Sequence, residues 1–555
     1  MKRNLTELTS KVYDIFIVGG GIYGATLAWE ASLRGLSVAL VEKSDFGAGT
    51  SANSLKTIHG GLRYLQNADL KRMRESIHER TTLMRIAPHL VHPLPVLIPT
   101  YGYGLKGKEV LSLALAINDL VSCDRNQLPD RQKHIPNGCV ISQQKCLELL
   151  PGISTQGLTG GAIFSDAQVY NSERLTISFL HSAYQAGASL ANYVEVTGFI
   201  QKDNRISGVK ATDRLTRNQF EIRAQTIINT CGPWLHKILG MVNQQQRLPF
   251  GLAKAMNLVT TRPLVEKYAV GIASKNIATD PDAVVNKGSR FLFIAPWRDR
   301  SIIGTEYAVY DRDPDNFHIT EAEINKFLAA INQAYPPAKL KREEVAFVHG
   351  GMLPTNNINP KTGEPVLAKH YQIFDHSQTG LFGLISVVGV KYTTARDVAE
   401  KVVNYLFKSW RKKSPKSVSS LTPIYGGKIE NFTAFLQNAI VEKQSKCLTA
   451  STIRRLVYNY GSTYPEVLNY LDNPDSDRAV IKAEIFYAIH QEMAQKLSDV
   501  ILRRTELGSA GYPGNATIKF CAEVMGKELG WSAAKLQQEI EEVHNILRIT
   551  SASVA

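Results

Sequence analysis

The stretch of the chain that decides the fold is YDIFIVGGGIYGA, residues 13–25. Its first half is an apolar strand pattern, and its second half is a glycine cluster that opens a helix. In a unit of this kind Gly19 permits the tight turn, Gly21 lets the backbone approach a pyrophosphate, and Gly24 lets the helix pack closely on the sheet. Because the first N–H groups of a helix attract an anion, the stretch predicts a dinucleotide-binding site.

The residues that follow support this prediction. A second apolar strand pattern at residues 37–41 ends in Glu42, and an acid at this position accepts hydrogen bonds from the adenosine ribose. The alternative interpretation is a purely structural glycine turn. It explains the glycines, but not the helix pattern, the second strand and the acid that accompany them. The glycine fingerprint does not by itself separate FAD from NAD.

Composition limits the class of protein. The chain has 555 residues, of which 44% are hydrophobic and 21% are charged, so we expect a globular protein with two or three hydrophobic cores. Residues 1–11 lack the apolar segment of a secretory signal, and no stretch reaches the roughly 18 to 20 apolar residues of a membrane span. The six cysteines contain no CxxC pair, which predicts free thiols in a reducing compartment and no metal site. These features predict a cytoplasmic protein.

The charge balance indicates the kind of partner. A net charge of +14 and a pI of 9.3 favour anions, which could be nucleic acid, acidic lipid headgroups or an anionic substrate. The basic cluster RKKSPK at residues 411–416 has the composition of a linker, and the other basic residues are dispersed. No nucleic-acid reader motif is recognisable, so we expect no nucleic-acid partner. The apolar run at residues 110–121 allows peripheral contact with the inner face of the cytoplasmic membrane.

Strand and helix patterns predict a discontinuous nucleotide-binding part with a β-rich insertion, followed by a helical part. The predicted boundaries are a main region at 12–410 with nucleotide-binding pieces at about 12–100, 140–235 and 345–408, a β-rich substrate domain mainly at 236–345, a linker at 411–422 and a C-terminal helical domain at 423–555. The prolines between residues 88 and 99 predict a chain broken into extended or turn segments. Apolar residues that recur every four positions from Ile485 to Ile501 predict one amphipathic helix whose stripe packs in the core.

The loop TSANSLKTIHGGLRYL, residues 50–65, resembles the flavin-facing loop of the FAD-dependent glycerol-3-phosphate dehydrogenases, which belong to the D-amino-acid-oxidase superfamily. Further segments are similar to the same family, namely APHL at 87–90, NTCGPW at 229–234, IIGT at 302–305, GVKYTTAR at 389–396 and DVILRRT at 499–505. The resemblance spans nearly the whole chain and implies FAD rather than NAD. It implies an α/β fold with a Rossmann-type FAD-binding domain, an inserted antiparallel-sheet substrate domain and a C-terminal helical domain.

The fingerprint and the resemblance together predict the cofactor-binding residues. They are Gly19, Gly21, Gly24, Glu42, Thr50, Ser51, Ser54, Gly60, Gly61, Val196, Gly232 and Thr393. The three hydroxyl residues of the loop at 50–65 can hydrogen-bond phosphate and ribityl oxygens, and the glycine pair at 60–61 leaves room for a flat isoalloxazine. The resemblance implies that the backbone around Val196 and the turn at Gly232 lie at the adenine half. Thr393 lies at the start of a predicted helix near the end of the main region, and the N-terminus of this helix would stabilise negative charge on a reduced flavin.

The reaction that the resemblance implies is the oxidation of sn-glycerol 3-phosphate to dihydroxyacetone phosphate, with the electrons passed to quinone. His59 is the predicted base for the hydroxyl proton, because an imidazole titrates near neutral pH. A lone histidine is more often structural, but in this loop the functional interpretation is favoured. By resemblance Arg63 also lines the substrate pocket, and Lys391 contacts the substrate or its phosphate. The family resemblance also allows a homodimer.

Two positions depart from the family pattern. Leu353, in GMLP at residues 351–354, stands where the family has a phosphate-gripping arginine, and Asn257 stands where it has a histidine. A lost charge-assisted contact costs about 1.5–3 kcal/mol, unless His349, Arg290, Arg298 or Lys391 compensates. The departures leave two alternatives open. One is a dehydrogenase or an oxygen-using oxidase of the same fold that acts on another polar alcohol or amine. The other is a flavin-binding protein without turnover.

Overall fold

The structure is a computed structural model that describes residues 1–102, 108–242, 248–273, 291–360, 362–444, 448–472 and 477–550. The strands are β1 Val12–Val18, β2 Val38–Val41, β3 Thr57–Ile58, β4 Val91–Tyr101, β5 Cys139–Ser142, β6 Leu158–Val169, β7 Ser189–Ala191, β8 Val194–Lys202, β9 Arg205–Asp213, β10 Gln219–Asn229, β11 Gly251–Thr260, β12 Ala269–Ala273, β13 Phe291–Trp297, β14 Arg300–Tyr310, β15 Val345–Ile358, β16 Pro365–Leu367, β17 Gln372–Asp375 and β18 Leu384–Val388. The helices are α1 Leu5–Thr9, α2 Ile22–Leu33, α3 Leu70–Ile86, α4 Lys108–Val121, α5 Gln143–Leu149, α6 Ser172–Gln185, α7 Leu235–Gly240, α8 Glu321–Ala334, α9 Ala395–Ser409, α10 Phe432–Lys443, α11 Ala450–Tyr460, α12 Tyr464–Leu468, α13 Asp477–Glu492, α14 Leu497–Asp499, α15 Asn515–Leu529 and α16 Ala533–Thr550. None of the helices among these residues is both long and apolar enough to cross a membrane.

The first sheet is built around parallel strands, as the sequence predicts. Its order is β17-β18-β10-β1-β2-β7, with β8 and β9 added as an antiparallel extension of β10. β1 lies between β2 and β10, and its residues from Ile15 to Val18 are buried because both faces of the sheet are covered. Val18 lies in register with Val41 and with Asn229, so the carboxyl ends of these strands meet at one edge. In an open α/β sheet this edge is where ligands bind.

The second sheet is mostly antiparallel and has the order β16-β15-β11-β14-β13-β12-β4-β6-β3, with β5 paired to β6. Its centre, β11 to β14, falls in the predicted substrate segment 236–345. However, β4 and β6 come from the segments 12–100 and 140–235, and β15 and β16 from 345–408. Strands of the second sheet therefore also come from segments that were predicted to belong to the nucleotide-binding part. The pairing of β4 with β6 along its whole length places both strands in the second sheet.

β4 corrects the prediction that prolines break the chain before residue 100. Residues 91–101 form one continuous strand that contains Pro93, Pro95 and Pro99. These prolines are separated by even numbers of residues, so their missing N–H groups lie on the same edge of the strand. β6 pairs with β4 along its whole length on one edge, whereas β12 on the opposite edge pairs with only Val96 and Leu97. A strand with one sparsely paired edge can accommodate prolines whose nitrogens share that edge.

The C-terminal part is helical, with a break that the periodicity does not reveal. The predicted helix from Ile485 to Ile501 is wrong as a single element, because α13 ends at Glu492 and Met493 has a φ of 57°. A left-handed residue cannot continue a right-handed helix. The stripe is nevertheless core, since Ile485, Met493 and Ile501 are fully buried.

The helical part is joined to the first sheet by buried ion pairs. Asp45, in the loop after β2, accepts hydrogen bonds from Arg503 and Arg504, both on a short helical segment at Val500–Arg504. The two guanidinium groups overcome the effect of burial and hold the pKa of Asp45 well below its usual range. This contact ties the C-terminal helical part to the start of the loop that continues through residues 50–65.

Candidate active site

A cavity of about 1960 Å³ lies where the carboxyl edge of the first sheet faces the second sheet. It is lined by the turn after β1, the loop after β2, the strand residues Phe293 and Asn257, and the turn after β18. Ordinary ligand pockets measure roughly 300–1,000 Å³. The cavity therefore has room for a large cofactor and a substrate together.

The glycine turn has the geometry that a pyrophosphate site needs. Gly19 has a φ of 104°, which is the left-handed region, and both Gly19 and Gly21 line the cavity. A β-carbon on Gly24 would overlap the carbonyl oxygen of Gly19, so this glycine lets α2 begin directly against the turn. The N–H of Ile22 donates to Ser51 Oγ at 2.9 Å. Ser51 therefore joins the start of α2 to the loop after β2 and lines the cavity as well.

Glu42 lies beside this turn at the end of β2. Its carboxylate accepts hydrogen bonds from the backbone N–H groups of Gly20 at 2.8 Å and Ser44 at 2.9 Å. Burial raises the pKa of Glu42, although these two N–H groups act in the opposite direction. The carboxylate is fixed in the cavity wall, where oxygen lone pairs remain available to accept from ribose hydroxyls.

The hydroxyl residues of the loop after β2 have structural partners of their own. Thr50 donates to the carbonyl of Met352 at 3.0 Å and accepts from its N–H at 3.2 Å, so it fastens the loop to β15. Ser54 accepts from the N–H of Lys56 at 3.3 Å. Both residues line the cavity, as do Val196 and Gly232. The hydroxyls of Thr50 and Ser54 therefore help to shape the loop in addition to any contact with a cofactor.

At Gly60 the structure shows a physical reason for a glycine that the sequence did not indicate. A β-carbon on Gly60 would overlap the guanidinium of Arg80, which is buried beneath the loop and donates to the carbonyl of Ser165 at 2.6 Å. Gly61 has a φ of 91° and lines the cavity, whereas Gly60 lies behind it. The room at Gly60 is thus taken by a buried arginine.

His59 is paired with an aspartate that sequence reasoning missed. Its Nδ1 lies 3.0 Å from Oδ2 of Asp166, and a carboxylate can only accept, so Nδ1–H donates. The side chain of His59 remains 45% exposed and lines the cavity, with the ring of Phe293 6.0 Å away edge to face. This pairing leaves Nε2 as the basic nitrogen of a neutral imidazole.

Asp166 is held as a carboxylate by its surroundings. Burial raises the pKa of Asp166, but the hydrogen bond from His59, the charge of Arg80 at 3.6 Å and the N–H of Gly60 lower it by more, so the net shift is downward. Asp166 lies in β6, and its strand partner is Leu94. The signal in the sequence was a single acid in an otherwise apolar and small-residue strand, which a polar residue enters only with a partner.

Lys391 and Thr393 also lie at the cavity, in the turn that leads from β18 to α9. The hydroxyl of Tyr23 donates to the carbonyl of Lys391 at 2.8 Å, which fixes this turn against α2. The ammonium of Lys391 lies 4.0 Å from the centre of the Tyr64 ring. Arg63 lies in the short 3₁₀ helix Leu62–Asn67, but its side chain is outside the described part of the structure.

Residues 14–390 match the model of the FAD dependent oxidoreductase family, and residues 417–536 match the C-terminal domain of alpha-glycerophosphate oxidase. The chain belongs to the FAD dependent oxidoreductase family. The predicted α/β fold, the oxidoreductase class and the FAD cofactor are thereby confirmed.

Relatives in this family cover almost the entire chain. A glycerol-3-phosphate dehydrogenase of Synechocystis sp. is 31% identical over 98% of both chains. An aerobic glycerol-3-phosphate dehydrogenase of Staphylococcus haemolyticus is 29% identical over 90% of this chain and 87% of its own. The glycerol-3-phosphate dehydrogenase of Bacillus halodurans, solved in complex with FAD, has a TM-score of 0.75 at 24% identity and covers 98% of this chain and 96% of its own. The predicted resemblance to this group is confirmed.

The cavity of this FAD dependent oxidoreductase fits its cofactor. A backbone turn without β-carbons at Gly19 and Gly21 leads to the N-terminus of α2, which suits a pyrophosphate. The buried carboxylate of Glu42 suits the ribose, and Val196 and Gly232 line the wall beside it. The cavity continues to Thr393, which directly precedes Thr394, the N-cap of α9, and a helix N-terminus suits the electron-rich end of a flavin.

The two departures from the family pattern both face this cavity. Leu353 and Asn257 line it, and Asn257 accepts from Thr305 Oγ1 at 2.7 Å through its Oδ1. Of the proposed compensating residues, Lys391 alone is described at the cavity. Arg298 points toward Glu506, and His349 is buried outside the cavity wall. Arg290 lies outside the described residues.

Proposed function

We propose that this protein oxidises sn-glycerol 3-phosphate to dihydroxyacetone phosphate. The observation that carries the proposal is that the His59–Asp166 pair and Lys391 line the same cavity as the dinucleotide turn. The relatives that match over nearly the whole chain have names that specify glycerol 3-phosphate. A base and a cation beside a flavin site are the groups that the oxidation of a phosphorylated alcohol requires.

His59 removes the hydroxyl proton in this proposal. Asp166 holds Nδ1–H, which orients the ring, keeps the lone pair on Nε2 and stabilises the imidazolium that forms. When bound, FAD supplies the two-electron acceptor for the alcohol carbon. Phe293 and Leu353 give the cavity apolar walls that exclude water around the reacting carbon. Lys391 binds the phosphate as a compact positive charge, and Arg63 belongs to the same proposed set of substrate residues.

Anaerobic mixing of the purified yellow protein with glycerol 3-phosphate is expected to bleach the flavin band near 450 nm (roughly, the usual oxidised-flavin absorbance). Glycerol, which has the same reacting group without the phosphate, is the matched control and should reduce the flavin far more slowly. If glycerol 3-phosphate fails in protein that dithionite still reduces, the proposed substrate is wrong, which leaves another polar alcohol or amine, or a flavin-binding protein without turnover. Leu353 and Asn257 favour that second candidate, because both reshape the cavity wall.

The electron acceptor in this proposal is a membrane quinone. Supporting this, α4 forms part of the cavity wall through Leu111 and Ala114 and also carries exposed apolar residues. Leu113 is 63% exposed and Leu120 is 76% exposed, while most large apolar side chains of the chain are buried. An amphipathic helix with such a face can lie in a lipid interface next to the entrance of the cavity.

Glutamate at both Leu113 and Leu120 is therefore expected to release the protein from membranes. Removing two leucines from a lipid interface forfeits about 1.5–3 kcal/mol for each, which together lowers partitioning at least about a hundredfold. Co-sedimentation with phosphatidylglycerol vesicles measures the bound fraction. Val441→Glu is the matched control, because Val441 is 83% exposed on α10. Equal binding of wild type and the double variant would refute this membrane surface, and rapid peroxide formation in air would refute quinone as the acceptor.

A further inference from the structure

The ring of Tyr64 has two cationic neighbours. The guanidinium carbon of Arg72 and the ammonium of Lys391 each lie 4.0 Å from the centre of this ring. Arg72 comes from the first turn of α3 and Lys391 from the turn after β18, so the two cations arrive from opposite parts of the chain. All three residues line the active-site cavity. An aromatic ring stabilises nearby cations and fixes their positions.

Arg72 is buried but incompletely bonded. The residue is 9% exposed, and its Nε has no hydrogen-bond partner among the described side chains and backbone. Its guanidinium contacts Asp69 at 3.6 Å, beyond the length of a strong charge-assisted hydrogen bond. A buried guanidinium normally satisfies its donors, so this incomplete bonding, together with the position of Arg72 in the cavity wall, points to an anionic partner for the group.

The surroundings of Arg72 carry a mixture of charges. His370 Nε2 lies 3.8 Å from the carboxylate of Asp69, and Lys369 lines the cavity beside it. Glu75, on the same helix, accepts from Lys401 at 2.8 Å and is thereby neutralised. The positive groups therefore outnumber the acids that face them in this part of the cavity wall.

We propose that Arg72 binds the phosphate of the substrate, together with Lys391, in place of the arginine for which Leu353 stands in this chain. The inference rests on the proposed function for the identity of the phosphorylated substrate. The planar fork of a guanidinium matches two phosphate oxygens, which a lysine ammonium cannot do alone. Arg72 thus accounts for how a cavity with Leu353 in its wall can select an anionic substrate.

Calorimetric titration of the oxidised FAD-bound protein with inorganic phosphate tests the inference without turnover. Arg72→Gln is expected to weaken phosphate binding about 10- to 100-fold, as a lost charge-assisted contact requires. Arg72→Lys should weaken it less, because the charge remains and the fork is lost. Lys71→Gln removes the same charge from an exposed neighbour on α3 and should leave the dissociation constant unchanged. Leu353→Arg combined with Arg72→Gln should restore binding in part.

The outcomes separate a binding role from a structural one. A structural role would lower the Tm of Arg72→Gln and leave the phosphate dissociation constant within twofold of wild type, which would overturn the inference. If Arg72→Gln does not retain FAD, the phosphate dissociation constant of Arg72→Lys is compared with that of wild type instead, and a value within twofold would likewise overturn the inference. Should wild type bind phosphate through Arg72 while glycerol 3-phosphate does not reduce the flavin, the proposed substrate fails and the phosphate site stands. Flavin reduction by glycerol 3-phosphate with unchanged phosphate affinity in both variants would mean that the substrate stands and the role of Arg72 fails.

Discussion

Gly24→Ala is expected to give a protein that purifies without FAD. In this structure a β-carbon at position 24 would overlap the Gly19 carbonyl oxygen and lie 2.9 Å from Thr230 Oγ1. The obstacle at Gly19 is backbone in a left-handed conformation, which cannot move without dismantling the turn that faces the pyrophosphate. The start of α2 must therefore shift away from the sheet, and its N–H groups leave the anion site.

The ratio of flavin to protein absorbance measures this loss, and thermal unfolding measures its consequence. Without bound FAD the Tm should fall, because a ligand that binds only the folded state stabilises it. Gly240→Ala is the matched control, since Gly240 ends α7 with no atom within 4 Å of an added β-carbon. Alanine improves helix propensity over glycine, so the control should be neutral or slightly stabilising. Gly24→Ala with the wild-type flavin content would refute the assignment of this turn.

The local part of the fold could be predicted from the sequence because its determinants are contiguous. Residues 13–42 contain a strand, a glycine turn, a helix, a second strand and an acid, and each leaves its own pattern within a few positions. The structure has these elements as β1, α2 and β2, with Glu42 at the end of β2. Tight turns and parallel strands of this kind depend little on the rest of the chain.

The second sheet could not be assembled from the sequence for the opposite reason. β4 pairs with β6 across an interval of about sixty residues, and β12 joins β4 from still farther along the chain. Register between distant strands depends on side chains that meet only in the folded state. The prolines of β4 also indicate breaks in the local sequence, whereas the distant strand β6 pairs with the whole of β4 and β12 pairs with only two of its residues.

The same distinction between local and distant determinants applies to the residues of the candidate site. His59 could be singled out because it lies in a recognisable loop, but its partner Asp166 lies in β6, 107 residues away. The buried Arg80 beneath Gly60 was equally invisible, because a helix pattern of charged residues normally indicates solvent exposure. The cofactor-binding and catalytic roles of these residues remain predictions, which substitutions at Gly24, His59 and Asp166 test.

His59→Ala is expected to retain FAD and to slow reduction of the flavin by glycerol 3-phosphate about 10²- to 10⁴-fold, the usual contribution of a general base. The reason is geometric. Nδ1 of His59 lies 3.0 Å from Oδ2 of Asp166 and donates to it, so Nε2 is the basic nitrogen available to the cavity. Single-turnover absorbance under anaerobic conditions isolates this step from reoxidation. His78→Ala is the matched control, because His78 is also half exposed and paired with an acid, Glu79, but does not line the cavity.

Asp166→Asn separates the base from the residue that orients it. An asparagine can still accept from Nδ1–H but carries no charge to stabilise the imidazolium, so a smaller loss of rate is expected than for His59→Ala. Two residues that act as a unit have non-additive effects, so the double variant should be no slower than His59→Ala alone. Additive losses would mean that Asp166 acts independently of His59, for instance by holding Arg80 and the loop at Gly60. An unchanged single-turnover rate in His59→Ala would show that another group takes the proton.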